Sequence, residues 1–173
     1  MDGPMASPIR SRSLPPVARH EIAGSWHIVE TNFPMWLAGT RKEPTLNYGA
    51  LQGSLFDDVV RYVAGGKQKE IRGTDTIDPH DGAHFTWRGR GVLALFRSDW
   101  YVIHHDVDAG VMAIYFEPTL FTPAGVDIAA RSKQPDDAAI TAARASLATI
   151  PGLDLHVAKL SKLAGGLPLL RET

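Results

Sequence analysis

The chain has no cysteine, so disulfides play no part in holding it together. It has no excess of either charge: 18 basic and 19 acidic residues leave a formal net charge of −1. Such a balance projects no field to gather nucleic acid or an anionic membrane. No apolar run approaches the ~20 residues that span a bilayer, so membrane insertion is not expected. Residues 1–16 are rich in proline and serine and have no hydrophobic stretch. They read as a disordered arm instead of a signal peptide, and with the missing cysteines this predicts a cytoplasmic protein. There is no Gly-x-Gly-x-x-Gly, no phosphate loop and no Gly-x-Ser-x-Gly. Seven histidines are present, but His80 and His84 sit at a turn and a strand start, and adjacent His104 and His105 point to opposite faces. No metal is expected. His104 could serve as a haem ligand, but nothing else favours that group, and no cofactor is expected.

What the chain does have is a series of short alternating segments separated by turn residues. The segments 26–30, 55–64, 69–77, 84–96, 100–104, 111–115 and 126–130 read as strands. Gly65-Gly66 marks a hairpin, because both glycines tolerate positive φ. Residues 18–22 suit a short helical turn. Pro135-Asp136-Asp137 opens a helix running to about residue 149, with Ile140, Ala143, Leu147 and Ile150 at helical spacing and Pro151-Gly152 stopping it. Residues 153–157 read as a final short strand. Residues 31–53 are too irregular for a strand and too aromatic for an ordinary solvated loop.

Gly24-Ser25-Trp26 opening the first strand, Asp106 at a strand turn and Arg131 ending the last barrel strand resemble the signature of the lipocalins. The resemblance covers roughly residues 17–160. It departs from the family's Thr-Asp-Tyr turn, having His105-Asp106-Val107 instead. It implies an all-β, eight-stranded antiparallel up-and-down barrel with one C-terminal helix packed outside. The barrel domain would span 17–164, after an arm at 1–16 and before a tail at 165–173. Trp26 would plug the closed end beneath Arg131. Residues 31–53 would be the large loop over the mouth, with 33–37 as a mobile lid or a permanently packed cap; both readings stay open.

Side chains alternate along a strand, so one anchored position sets its neighbours. That parity turns Glu30, Phe56, Asp58, Tyr62, Asp75 and Phe85 inward. It does the same for Trp87, Trp100, Val102, His104, Tyr115 and Asp127. Phe33, Trp36 and Tyr48 would join them from the mouth loop. So many aromatics suit a pocket for a small hydrophobic or aromatic molecule. Several inward acids with a histidine suit acid–base chemistry, with His104 as the general acid or base and Asp58, Asp75 or Asp127 beside it. Two functions follow: a cofactor-free enzyme of the lyase, isomerase or cyclase kind, or a non-catalytic carrier or sensor. A homodimer is compatible with either.

Overall fold

The computed structural model describes residues 7–9 and 14–163. Eight antiparallel strands close on themselves: β1 (Gly24–Thr31), β2 (Lys42–Tyr48), β3 (Leu55–Ala64), β4 (Lys67–Ile77), β5 (His84–Gly89), β6 (Arg97–Asp106), β7 (Val111–Phe116) and β8 (Gly125–Ala130). Each pairs with the next in sequence, and β1 pairs with both β8 and β2 to complete the barrel. A two-residue strand β9 (Ser161–Lys162) adds to β1. Closure leaves the main strands no free edge to aggregate through.

Two cores result. Inside the barrel Trp26, Ile28, Phe85, Trp100, Val102, Met112 and Ile114 pack together. Outside it, helix α3 (Asp137–Ala148) covers the β6–β8 wall, burying Ile140, Ala143 and Leu147 against Ala113, Tyr115 and Ile128. It is preceded by two single turns, α1 (Arg19–Ile22) and α2 (Pro34–Leu37). Asp136 caps it by accepting a hydrogen bond from the Ala138 amide at 3.1 Å. Ile9, within the segment read as an arm, is buried in this outer core. The remainder of that arm in part, and the tail at 165–173 entirely, lie outside the described residues.

The closed end is built around Trp26. Its indole N–H donates to the Ile22 carbonyl at 2.8 Å, and Arg131 lies across the ring. Gly24 has φ +99°, and a Cβ there would come within 3.0 Å of Arg131 Nη1. The positive φ calls for glycine here, and a Cβ would in addition crowd the end of the Arg131 side chain.

The structure corrects several expectations. The eighth strand, β2, lies inside the segment read wholly as mouth loop, together with α2. Strand β5 ends at Gly89, not at residue 96, and a 3₁₀ turn, Gly91–Leu93, follows it. Residues 153–157 are not a strand; Asp154–Val157 forms a helical turn, α4, and the final strand comes after it.

Inward parity fails at three places. A bulge at Val29 in β1 shifts the register, and Glu30 faces α3, accepting a hydrogen bond from Arg144 Nε at 2.7 Å. A second bulge at Ile103 in β6 turns His104 outward, where its Nδ1 pairs with Ser146 Oγ at 2.8 Å. His105 takes the interior direction and puts its ring 5.9 Å from Trp26. In β7 the inward residues are Met112 and Ile114, while Val111, Ala113 and Tyr115 face the helix. An extra residue in one strand reverses everything beyond it, which is the whole cause of the first two changes.

Candidate functional site

Apolar side chains fill the closed half of the barrel, but the other half is open. A cavity of about 740 Å³ begins above Tyr48 and Trp100 and runs out between two loops, 90–96 and 117–124. Leu46, Val60, Ile71, Trp87 and Phe116 form its walls. Leu93, Leu95, Phe96, Leu120 and Phe121 form the mouth. Leu95 and Leu120 stand 94% and 95% exposed, and Phe121 is 71% exposed with its ring edge on Phe96 at 4.9 Å. Water contact at so many apolar groups is unfavourable unless something covers them in use.

Helix α2 packs beside the cavity wall. Phe33 packs its ring on Phe116 at 5.5 Å, and Trp36 packs on Tyr62 at 5.6 Å. Both are buried in the inner core, and neither lines the cavity. Thr31 anchors this corner: its hydroxyl donates to Asp127 Oδ1 at 2.6 Å and accepts from the Phe33 amide at 3.0 Å. Asp127 is otherwise enclosed, and burial pushes its carboxyl up to about 7.

Arg97, Ser98, Thr119 and Thr122 add polar groups to the lining, and Asp58 is its acidic residue. Asp58 is 6% exposed, lines the cavity wall and sits beside the fully buried Asp75. Trp100 Nε1 donates to Asp75 Oδ1 at 2.9 Å. Asp58 Oδ1 and Asp75 Oδ2 are enclosed and meet no donor among the described residues, and the two carboxyls interact with each other. Burial raises Asp58 to about 6, and burial together with the Asp58 charge raises Asp75 well above the ordinary carboxylate range. The two interact, and each is pushed toward holding its proton more tightly than an ordinary carboxyl does. Tyr48 stacks on Trp100 at 5.5 Å, and its hydroxyl is pushed well above 10 by burial and by the neighbouring acids. Trp87 lies over Gly73, where any Cβ would strike its indole; glycine there lets the ring lie flat against β4.

Of the residues expected to meet a ligand, Tyr48, Trp87, Trp100 and Asp58 line the cavity. Phe56, Phe85 and Val102 belong to the packed core below it, and Tyr62 packs beneath Trp36. Glu30, His104 and Tyr115 face the outer wall, so His104 meets neither the cavity nor any of the three inner acids. The mouth residues escaped the sequence reading altogether. A signal for them exists: Val92 to Phe96 and Leu120-Phe121 are apolar runs set among glycine and proline, where no strand could bury them.

No family model and no curated protein sequence matches the chain. Solved structures do. Lobster apocrustacyanin A1 is similar with a TM-score of 0.67 at 18% identity, over 86% of this chain and 80% of that one. Insecticyanin from the tobacco hornworm Manduca sexta gives 0.69 at 15% identity, over 88% and 83%. The siderocalin Ex-FABP, described as functioning through dual ligand specificities, gives 0.64 at 16% identity, over 85% and 96%. The closed barrel with its plugged floor, open mouth and outer helix is the lipocalin fold.

Proposed function

We propose that this barrel binds a small, largely apolar molecule in the cavity beneath its mouth. The observation that carries the reading is the cavity itself: about 740 Å³, walled by aromatic and aliphatic side chains and continuous with exposed Leu95, Leu120 and Phe121. That volume falls in the range of roughly 300–1,000 Å³ used for small-molecule sites. The similarity to a siderocalin with dual ligand specificities supports it through the fold. A titration with a neutral aromatic fluorophore such as N-phenyl-1-naphthylamine tests it. Saturable enhancement is expected, and Val60→Trp, which fills the wall, should weaken binding at least about tenfold. Absence of saturable binding, or equal binding by the filled variant, would place the reading in error.

A second reading is acid–base conversion of the bound molecule, without a cofactor. It draws support from the Asp58–Asp75 pair, because a carboxyl raised to about 6 can donate and accept a proton near neutrality. Asp58 is the member of the pair that lines the cavity and would touch the substrate. Mass spectrometry of candidate ligands recovered after incubation separates the two readings: a carrier returns them unchanged.

A further inference from the structure

The cavity has a polar spot whose chemistry is one-sided. Two carboxyls meet there, and no Lys, Arg or His among the described residues bonds either of them. The ionisable groups that interact with Asp58 are Asp75 from β4 and Tyr48 from β2, and Tyr48 in turn feels Asp127 from β8; all are acidic. Among the described residues Arg97 on β6 is the one cation lining the cavity, and its guanidinium lies 3.3 Å from Asp99. A negative charge buried without a counter-ion is unfavourable in proportion to its desolvation. The aromatic side chains of Tyr48, Trp87 and Trp100 line the same cavity as Asp58.

We propose that this floor seats one cationic amine, so that the ligand is an amphiphile with an ammonium head at Asp58 and an apolar body reaching the mouth. The proposal rests on the cavity being the binding site and names the class of molecule it takes. An ammonium would supply a counter-charge at Asp58, the member of the pair that lines the cavity, beside the aromatic rings that line it too. A carboxylate head would add another negative charge beside the acids. A hydroxyl head would leave the existing charge uncompensated.

Three probes with one chain and different heads test this: decylamine, 1-decanol and decanoate, titrated calorimetrically into the full chain. At about pH 7.5 decylamine should bind at least about tenfold tighter than decanol, with decanoate weakest. At about pH 5 the advantage should shrink about tenfold, because Asp58, raised to about 6, is then largely protonated while the amine stays charged. Asp58→Asn should bring the amine-to-alcohol ratio close to one; should that variant fail to fold, the pH series on the unaltered chain decides. Decanol or decanoate binding as tightly as decylamine would overturn the proposal. So would an amine preference that survives Asp58→Asn or is indifferent to pH. If none of the three binds, the cavity reading itself falls, an outcome distinct from the loss of head-group selectivity.

Discussion

The guanidinium carbon of Arg131 stands 3.8 Å from the centre of the Trp26 ring, at the closed end of the barrel. The same side chain donates to two backbone carbonyls, Ser25 at 3.1 Å and Glu21 at 2.8 Å, so it ties the end of β8 to both α1 and β1. Arg131→Ala removes the cation–π contact and both hydrogen bonds. It should lower stability in urea denaturation by about 2–3 kcal/mol. Arg131→Lys should recover part of this, since a point charge keeps the ring contact but cannot reach both carbonyls. A loss under about half a kcal/mol would mean the plug holds without its lock.

The buried acids set how stability depends on pH. Asp127 rises from an ordinary 3.8 to about 7 because burial disfavours its charge. Between about pH 4 and 7 the folded chain therefore holds a proton that the unfolded chain has released, and stability falls as pH rises through that window. Asp127→Asn keeps an acceptor for Thr31 but removes this proton. Its unfolding free energy, measured at about pH 5 and pH 8, should lose about 2–3 kcal/mol of the decline shown by the unaltered chain. An unchanged decline would show that Asp127 is ionised and compensated in the folded state.

Glu30 and Arg144 form the polar link between β1 and α3. Glu30 is almost fully enclosed, whereas Arg144 reaches solvent. Arg144→Ala leaves a buried carboxylate without its partner and should cost about 1–3 kcal/mol. Adding Glu30→Gln should restore part of that loss, and thermal melts of the two variants give the comparison. A double variant less stable than the single one would show that Glu30 has another partner.

His104 bonds Ser146 on the outer helix, so its substitution addresses helix docking. His104→Asn should leave fluorophore affinity within about twofold and reduce stability by about 1 kcal/mol. A large loss of affinity with unchanged stability would return His104 to the cavity.

The barrel and its outer helix were legible because Trp26, Asp106 and Arg131 carry a recognisable spacing and because Asp136 and Pro151-Gly152 punctuate the helix at both ends. The acids that meet were also named, since Asp58 and Asp75 lie in strands with clean alternation, paired without interruption. What stayed hidden has a common cause. Val29 and Ile103 are extra residues opposed by nothing, and a bulge leaves no mark in a run of apolar residues. Strand β7 reads Val-Met-Ala-Ile-Tyr-Phe, and all but the last residue are buried, because α3 covers its outer face; alternation disappears when both sides are apolar. Strand β2 was obscured by Pro44, which seldom occurs within a strand.

The most direct test of ligand binding uses three of the four tryptophans as position markers. Trp87 and Trp100 line the cavity, while Trp26 lies in the closed end with its indole N–H bonded to Ile22. In a nitrogen-15 NMR titration with a small apolar ligand, the indole resonances of Trp87 and Trp100 should move together and saturate, with that of Trp26 unmoved. Saturable binding that shifts Trp26 and leaves Trp87 and Trp100 in place would contradict the account.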